Sequence, residues 1–488
     1  PGGSDHLVSD VPAALVAAKL APPVSTSKLL PRSELVTRLI DSTEKLCLIS
    51  APAGWGKTSL LAAWYEADPD RRSFAFVRLD EGDDDGPAFW RHVIAAVRNL
   101  HPEFMASAVE ALQTPGMDPT RLVIPQLVNE MAGIADPIIL VLDDFHTTTQ
   151  PSIHDSVRYL IDHLPPGARL VIATRADPPL PLGRLRASGE MTEIRSSQLA
   201  LTTDETAELL RIRFDLDLDA GSVQLLCRLT EGWPAALHLA GLSLQTPPDH
   251  RAFIERFAGD DRNIADYLTS EVLDQLSAEL REFLLRTCIL DHLSGPLCDE
   301  VADVTGSNAT LEELERRNLF LIPLDNRRDW YRYHHLFAEW LRHQLRRTAP
   351  ELVPLLHTRA GRWHAKNDSL GLAIAHALAA GDHGRAAELI NRFLVNPRGV
   401  AWSTFWEWLP QLPEDVVADY PMIAVAHVAP SLAGGNFADG WHWLGVAESA
   451  IEEAPQELRL EYEPIAALYR AFCELAAGDK AVAQAALG

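Results

Sequence analysis

The sequence predicts an α/β P-loop NTPase domain with a parallel sheet, followed by a helical domain, a winged helix and α-helical repeats. Two observations predict the first part: a glycine-bearing turn that ends in Lys-Thr, and an apolar strand that ends in two aspartates. Short helices with one hairpin, and then Ala-rich helix pairs, indicate the rest. The 488 residues are enough for about three domains of ordinary size.

A phosphate-binding turn is predicted between a strand and a helix. The apolar run 46–49 precedes the segment APAGWGKT at 51–58, and a helix-like run begins at Ser59. Strand, glycine turn, Lys-Thr and helix in this order are the layout of a P-loop. The strict pattern begins with Gly where this chain has Ala51, so a chance glycine turn is the alternative.

The residue types of this turn suit a nucleotide phosphate. Its two glycines let backbone N–H groups surround the phosphate oxygens, and the helix N-terminus adds its positive end. Lys57 supplies a point charge, and the Thr58 hydroxyl is placed to ligate Mg²⁺. We therefore expect nucleotide contacts along the whole turn, from Ala53, Gly54, Trp55, Gly56, Lys57, Thr58 and Ser59.

A second strand carries two acids at its end. Residues 138–142 are a continuous run of Ile, Leu and Val, the pattern of a strand buried on both faces, and Asp143 and Asp144 follow. Ligands bind at the carboxyl edge of such sheets. We expect Asp143 to hold Mg²⁺ and Asp144 to position or deprotonate an attacking water. An Asp-Asp turn that caps the next helix is the alternative.

The remaining α/β elements follow from periodicity, and they are strands at 73–79 and 169–174 and helices at 87–100 and 152–164. The last strand forms a βαβ unit with the aspartate strand and ends at Arg175. We expect Arg175 at the same sheet edge as Lys57, either on a γ-phosphate or paired with a loop carboxylate. The acidic segment 80–85 favours a solvated loop over a metal site.

Helical patterns dominate from about 203 to 290. A capping box at 202–205 opens the first helix, and Gly-Trp-Pro at 232–234 opens another. Residues 291–345 resemble a winged helix, with hairpin strands at 319–324 and 330–333. Helix pairs such as 372–380 with 385–394 give the texture of helical repeats. The predicted division is an N-terminal extension (1–28), the NTPase domain (29–215), a helical domain (216–290), the winged helix (291–348) and a truncated, TPR-like repeat region (349–488).

Composition excludes several function classes. The net charge is −25, with 68 acids against 43 Lys and Arg, which argues against a broad nucleic-acid footprint. The predicted recognition segment of the winged helix, 311–317, carries acids where DNA phosphates would lie. Five cysteines without CxxC spacing predict neither a disulfide framework nor a zinc site, so we expect a cytoplasmic protein. The Ala-rich run 11–24 is interrupted by Lys19, and no run reaches the roughly 18 apolar residues that span a bilayer, so no membrane partner is expected.

Several signatures occur together in one order along the chain: APAGWGKT (51–58), LVLDDFH (140–146), IADYL (264–268), YRYHHLF (331–337) and AHALAAGD (375–382). Together they resemble the large ATP-binding regulators of the LuxR family, typified by the bacterial maltose-regulon activator, which are STAND-class NTPase switches. The resemblance covers about 15–390, and this family tolerates Ala at the first P-loop position. Because such regulators end in a helix-turn-helix, we expect a fragment that lacks it and that binds DNA only through that absent domain.

The resemblance implies a role for each motif residue. The P-loop with Lys57 and Thr58 binds phosphates, Asp143 serves Mg²⁺, Asp144 serves the hydrolytic water, and Arg175 senses the γ-phosphate. Elsewhere it implies that Pro234 packs near the adenine, that Leu30, Pro31 and Arg32 close over the base, and that His334 contacts the β-phosphate of ADP. On pattern alone, a lone histidine such as His334 is a satisfied core residue.

The function implied is an ATP/ADP-dependent switch. It is closed and ADP-bound at rest, an unknown inducer acts at the helical repeats, and the ATP-bound form self-associates. Hydrolysis is then a slow ATPase that times the switch. The alternatives are the same switch with a different output domain, a turnover P-loop ATPase, and a scaffold in which nucleotide is only structural.

Overall fold

A computed structural model describes residues 17–23, 29–68, 74–105, 119–134, 136–245, 249–257, 259, 261–273, 276–395, 397, 402–433 and 436–476. Contacts divide the chain into two units, which are described separately. The first comprises the chain up to Leu276 together with Leu311–Leu324 and Arg332–Trp340. The second comprises Ser277–Thr310, Asp325–Tyr331 and the chain from Leu341 onward.

The first unit is built on a parallel sheet of strands β1 (Leu46–Ser50), β2 (Phe74–Arg78), β3 (Ile138–Asp143), β4 (Ala168–Thr174) and β5 (Met191–Arg195). The spatial order is β2-β3-β4-β1-β5, and all neighbours are parallel. Every residue of β1 and β3 is buried, because both strands have helices or loops on both faces. The predicted parallel α/β fold is confirmed, and β4 separates the phosphate-loop strand from the aspartate strand.

Amphipathic helices supply the rest of this unit. The helix Pro151–His163 buries Ile153, Val157, Leu160 and Ile161, the stripe that its periodicity predicts. Each such side chain contributes about 1.5–3 kcal/mol on burial. The helices of the unit are Ser33–Asp41, Lys57–Ala67, Gly86–Arg98, Pro119–Ala132, Pro151–His163, Leu182–Ala187, Ser196–Leu199, Thr203–Phe214, Ala220–Thr230, Pro234–Ser243, His250–Glu255 and Arg262–Glu271.

The capping box is also confirmed. The Thr202 hydroxyl accepts from the backbone N–H of Glu205 at 3.2 Å, and the Glu205 carboxylate accepts from the backbone N–H of Thr202 at 3.0 Å. These two bonds satisfy N–H groups that the first turn of a helix leaves free. The helix therefore begins at Thr203, where the sequence places it.

Short helices and two short strands form the predicted winged-helix region, namely Ala278–Thr287, Gly295–Ala302, Ser307–Arg316, β6 (Leu321–Pro323), β7 (Tyr331–Tyr333) and His335–Thr348. The strands β6 and β7 pair in a two-stranded sheet. The predicted hairpin is confirmed, and each strand is shorter than its predicted segment, 319–324 or 330–333.

The second unit continues as helices, which are Leu352–Lys366, Leu370–Ala379, His383–Val395, Trp402–Trp408, Glu414–Val417, Pro421–Ala433, Phe437–Glu453 and Gln456–Ala476. Their apolar faces form one core around Ile374, Ile390, Phe393 and Phe405 and another around Val428, Leu444, Ile451 and Tyr462. The two predicted helices of the first pair are present, and the TPR-like assignment stays a prediction. Within the described residues, no helix has both the length and the apolar character to cross a bilayer.

The acidic segment 80–85 differs from its prediction. Asp83 is fully buried, and its carboxylate accepts from the Lys19 ammonium at 2.8 Å and lies 2.9 Å from Nδ1 of His92. Asp84 accepts from the backbone N–H groups of Thr149 and Gln150, at 2.7 and 2.9 Å. The expectation of a solvated loop is therefore wrong for Asp83, whose buried charge is paired as low-polarity surroundings require.

Candidate nucleotide-binding site

The turn after β1 has the backbone geometry of an anion-binding loop. Gly54 and Gly56 have φ of 74° and 77°, a region that favours glycine. A β-carbon at Gly54 would lie 2.5 Å from the β-carbon of Ala235, so a larger residue has no room there. The helix Lys57–Ala67 begins directly after the turn, and the unpaired N–H groups of its first turn carry partial positive charge. The predicted strand, turn and helix are thus confirmed.

Lys57 is folded into this turn and is only 7% exposed. Its ammonium donates to the carbonyl oxygens of Ala51 at 2.8 Å and Pro52 at 2.9 Å. Burial, followed by the positive charge of Arg175, lowers the pKa of Lys57 from 10.5 to about 8. A phosphate oxygen is a charged acceptor, so it would form a stronger bond with this ammonium than the neutral carbonyls do.

Thr58 and Asp143 form the oxygen pair predicted for Mg²⁺. The Thr58 hydroxyl donates to Oδ2 of Asp143 at 2.9 Å, and Oδ1 accepts from the backbone N–H of Asp144 at 3.0 Å. Asp143 is 2% exposed, and burial, followed by the charge of Asp144, raises its pKa. A nearby cation would lower this pKa again. A hydroxyl and a carboxylate in contact are hard oxygen ligands, which fit Mg²⁺.

Asp144 lies at the mouth of the site with a left-handed backbone, φ 59° and ψ 36°. It stands at the start of the short 3₁₀ turn Phe145–Thr147 but makes no side-chain capping bond there, so the capping alternative gains no support. Its carboxylate is 3.4 Å from Nε of Arg78. The carboxylate borders an open cleft of about 660 Å³, which is also lined by Arg78, His146 and Arg175.

His146 is a further residue of the site. It belongs to the LVLDDFH motif, but the motif alone predicts no role for it. Its Nδ1 is 3.9 Å from Oδ1 of Asp144, and this nitrogen is buried without a hydrogen-bond partner among the described residues. Burial, and next the charge of Arg175, lowers the pKa of His146 to about 4. A neutral imidazole therefore stands beside the predicted water-positioning carboxylate. The signal for it was a histidine two positions after the Asp-Asp pair.

Arg175 follows β4 at the sheet edge where Lys57 and Asp143 lie, as predicted, and the strand order places β4 between β1 and β3. Its Nη1 is 3.0 Å from Oε2 of Glu271, on the helix Arg262–Glu271. Arg175 thus pairs with a carboxylate, which is the alternative to a γ-phosphate contact. The carboxylate lies on a helix and not on a loop. The positive charge of Arg175 also contributes to lowering the pKa values of Lys57 and His146.

Pro234 lies beside the phosphate turn. The next residue, Ala235, donates its backbone N–H to the carbonyl oxygen of Gly54 at 3.0 Å. A β-carbon added at Gly56 would lie 3.9 Å from Cγ of Pro234. The first turn of the helix Pro234–Ser243 is therefore hydrogen-bonded to the P-loop.

The segment Leu30 to Arg32 is held by another part of the unit. The Arg32 guanidinium donates to the carbonyl oxygens of Leu199 at 2.8 Å and Gln198 at 3.0 Å, and it lies 3.3 Å from Glu205. Leu30 is half-buried and Pro31 is exposed. The side chain of Arg32 is thus committed to the 198–205 segment, and the predicted contact of 30–32 with a base stays a prediction.

His334 is buried in an aromatic cluster that includes a P-loop residue. Its ring is 6.1 Å from that of Trp55, 5.8 Å from that of Trp233 and 5.9 Å from that of Phe320, each edge-on. Nε2 is 3.1 Å from the carbonyl oxygen of Thr230, while Nδ1 is buried without a hydrogen-bond partner among the described residues. Burial lowers the pKa of His334 to about 4. Nε2 thus has a hydrogen-bond partner and Nδ1 has none among the described residues. Packing in the core therefore accounts for Nε2 but not for Nδ1.

Two other winged-helix residues of this unit bond to its α/β part, one to the sheet edge and one to the end of a helix. The Asn318 amide donates to the Ser50 hydroxyl at 2.9 Å and to the carbonyl oxygen of Arg175 at 3.0 Å. The Arg332 guanidinium donates to both carboxylate oxygens of Glu231 at 2.7 Å. The Asn318 bonds thus connect a residue just before β6 to the ends of β1 and β4, and the Arg332 pair connects β7 to the end of the helix Ala220–Thr230.

The sheet, the phosphate turn and the aspartate strand define a P-loop NTPase fold, and the region around β6 and β7 is a winged-helix domain. Residues 269–353 match the family model of the MalT winged helix domain, a span that contains the predicted 291–348. The match and the relatives described next support a MalT-type STAND NTPase.

Three relatives resemble most of this chain. The serine/threonine-protein kinase PknK of Mycobacterium tuberculosis is 34% identical over 469 residues, covering 94% of this chain and 42% of PknK. The HTH-type transcriptional regulator MalT of Klebsiella pneumoniae is 33% identical over 396 residues, covering 80% of this chain and 43% of that protein. MalT of Yersinia enterocolitica is 30% identical over 465 residues, covering 94% of this chain and 50% of that protein. The chain thus spans half or less of the length of these relatives.

Among solved structures, the Walker-type ATPase PABY2304 of Pyrococcus abyssi superposes with a TM-score of 0.45 at 15% identity. The superposition covers 64% of this chain and 95% of that structure.

Proposed function

We propose that this chain is the nucleotide-dependent switch of a signal-responsive transcription regulator. It is ADP-bound and closed at rest, and ATP-bound and oligomerising when induced. The observation that carries this proposal is the position of His334, a winged-helix residue whose ring lies edge-on to Trp55 of the P-loop. A nucleotide in the P-loop would then lie close to groups from both parts. The similarity to proteins named HTH-type transcriptional regulators supports the regulatory output.

The P-loop residues would bind the phosphates. Lys57 would exchange its two carbonyl partners for phosphate oxygens. Mg²⁺ held by Thr58 and Asp143 would neutralise charge between the phosphates. Asp144 would orient the attacking water for a slow hydrolysis that times the switch, and the neutral imidazole of His146 would lie beside this carboxylate.

His334 would make the contact that depends on the closed state. Because Nε2 faces the Thr230 carbonyl, Nε2 carries the proton of the neutral ring, and Nδ1 is the nitrogen left for a ligand. A β-phosphate beside Nδ1 would favour a second proton there, and the resulting charged hydrogen bond is worth about 1.5–3 kcal/mol. This contact would hold the winged-helix residues against the P-loop while ADP is bound.

The energy that such a switch requires is within reach of a few contacts. Moving a population from 1:99 to 99:1 takes about 5.5 kcal/mol of differential binding. Hydrogen bonds to charged groups contribute about 1.5–3 kcal/mol each. Two or three contacts that differ between ADP and ATP are therefore sufficient, and Lys57, Asp143 and Arg175 are candidates.

The predicted domain bounds belong to this proposal. The NTPase domain (29–215), the helical domain (216–290) and the winged helix (291–348) would form the switch, and the repeats from 349 would receive an inducer. The proposal also includes self-association of the ATP-bound form and a cytoplasmic location. DNA would be bound by a domain outside this chain.

A second candidate is the same switch with a different output. The relative with 34% identity over 94% of this chain is named a serine/threonine-protein kinase. A switch that controls a kinase instead of a DNA-binding domain therefore has direct support. The full gene distinguishes the two outputs.

A kinetic experiment separates the switch from a turnover ATPase. The chain is loaded with fluorescent ADP, chased with excess unlabelled nucleotide, and assayed for steady-state hydrolysis. The switch predicts ADP release over minutes or longer and hydrolysis far below the typical enzyme rate of about 10 s⁻¹. Rapid release with rapid hydrolysis would identify a turnover enzyme, and unchanged signalling by Asp144→Asn would favour a scaffold.

Nucleotide affinity should depend on pH through Lys57. Its pKa is about 8 in the structure described, and bound phosphates should raise it toward the usual value. Binding then takes up a proton above pH 8, so ADP affinity is highest below that value and falls as the pH rises. We expect the affinity to fall about eightfold between pH 7.5 and pH 9, measured by calorimetric titration. Lys57→Arg should lose most of this dependence, and an equally steep fall in that variant would assign the proton to another group.

A further inference from the structure

The helix Arg262–Glu271 faces the nucleotide site with two residues one turn apart. Tyr267 and Glu271 are four positions apart and therefore share a face of this helix. A β-carbon at Gly54 would lie 2.6 Å from the Tyr267 hydroxyl, which places this hydroxyl against the P-loop. Glu271 holds Arg175 at 3.0 Å. One helix thus contacts both the phosphate turn and the arginine predicted to sense the γ-phosphate.

The backbone and the side chain of Arg175 are held by different groups. The backbone carbonyl accepts from Asn318 at 3.0 Å, whereas the guanidinium meets Glu271. The guanidinium also borders the cleft beside Asp144. A side chain on a fixed backbone can exchange one acceptor for another by rotation alone, so Arg175 can leave Glu271 without a shift of β4.

Only a triphosphate offers the guanidinium a rival acceptor at this place. The P-loop N–H groups would take the α- and β-phosphates, which ADP and ATP share, and Lys57 would reach the β-phosphate and, in ATP, the γ-phosphate as well. The γ-phosphate would lie toward the ends of β3 and β4, where Asp144 and Arg175 stand. Carboxylate and phosphate groups both accept two parallel N–H bonds from the planar guanidinium of arginine, so they compete for the same donors.

We propose that Glu271 sets the preference for the diphosphate by competing with the γ-phosphate for the guanidinium of Arg175. This inference rests on the proposed nucleotide switch. With ADP the Arg175–Glu271 pair stays intact, and the helix that carries Tyr267 remains against the P-loop. ATP must break the pair, so part of its binding energy is consumed and the helix loses one of its attachments.

The size of the effect follows from exposure. The side chains of Arg175 and Glu271 are 31% and 35% exposed, so solvent screens the pair and its contribution is modest. We expect Glu271→Gln to raise the affinity for a non-hydrolysable ATP analogue about fivefold. The affinity for ADP should stay within about twofold of wild type, because ADP does not disturb the pair.

The experiment measures the Kd of Mg-ADP and of a Mg-bound non-hydrolysable ATP analogue by calorimetry, for several variants of the chain. Glu271→Asp keeps the negative charge but withdraws the carboxylate by one methylene, and it should shift the ratio of affinities as Glu271→Gln does. Asp266→Asn is the matched control, since it removes an exposed carboxylate from the same helix. It should leave the ratio unchanged, and circular dichroism melts confirm that each variant is folded.

The decisive comparison repeats the Glu271→Gln substitution in a chain that already carries Arg175→Ala. If Glu271 acts through Arg175, adding Glu271→Gln to Arg175→Ala should change neither affinity. The same shift in that background, or an equal shift in Asp266→Asn, would overturn the proposal, as would an unchanged ratio in both Glu271 variants. Absence of binding of either nucleotide by the wild-type chain would instead overturn the proposed switch, and this inference with it.

Discussion

Replacement of Lys57 by alanine is expected to abolish nucleotide binding. The ammonium is buried in the P-loop and held by two carbonyl groups that phosphate oxygens would replace. Two charged hydrogen bonds of about 1.5–3 kcal/mol each amount to a loss of at least about 100-fold in affinity. Calorimetric titration with Mg-ADP measures this loss directly.

The control for this experiment is Lys45→Ala. Lys45 directly precedes β1, the strand that leads into the P-loop, and it pairs with Glu190 at 3.0 Å in a partly exposed position. Its removal should leave ADP affinity unchanged. If Lys57→Ala bound ADP with undiminished affinity while remaining folded, the P-loop assignment would be wrong.

His334→Ala is expected to weaken the retention of ADP and to raise spontaneous self-association. One charged hydrogen bond of about 1.5–3 kcal/mol corresponds to a dissociation rate roughly 10- to 150-fold higher. The variant also opens a cavity beside Trp55 and Trp233, so some loss of stability accompanies the effect. Stopped-flow release of fluorescent ADP and light scattering measure the two quantities.

Two further variants keep the result interpretable. His334→Gln keeps a polar side chain in the aromatic cluster and should fold more stably than the alanine variant, yet it should still release ADP faster. His335→Ala removes the neighbouring imidazole, which is about half exposed and lies 3.4 Å from Glu339, and it should release ADP at the wild-type rate. An unchanged ADP off-rate in both His334 variants would reduce this residue to a packing role.

Much of the fold can be predicted from local patterns in this sequence. The runs at 46–49 and 138–142 are apolar at every position, which only a strand buried on both faces explains. The glycines at 54 and 56 occupy backbone conformations that other residues rarely adopt. Such local constraints place the turn, the lysine and the first aspartate correctly, before any long-range contact is known.

The order of the strands and the long-range ion pairs are not encoded locally. No pattern shows that β4 lies between β1 and β3, or that Arg175 meets Glu271 from a distant helix. The burial of Asp83 depends on Lys19 and His92, which come from separate parts of the chain. The acidic run 80–85 therefore predicts a solvated loop, because the sequence does not show that Lys19 and His92 pair with Asp83.

Local patterns do not identify His334, the residue on which the proposed function depends. A buried histidine after a short strand has no distinctive pattern, so His334 was singled out only through the resemblance of its motif to a known family. The structure adds the ring contacts with Trp55 and Trp233 and the nitrogen without a partner among the described residues. Its contact with a phosphate stays a prediction until a nucleotide is observed.

The central claim is that the chain holds ADP in a closed resting state. The most direct test is to denature the freshly purified protein and to identify any released nucleotide by chromatography and mass spectrometry. A closed resting switch should release ADP in roughly stoichiometric amount. Absence of bound nucleotide, together with weak and rapidly exchanging binding of added ATP, would contradict it and would favour a turnover ATPase or an inert scaffold.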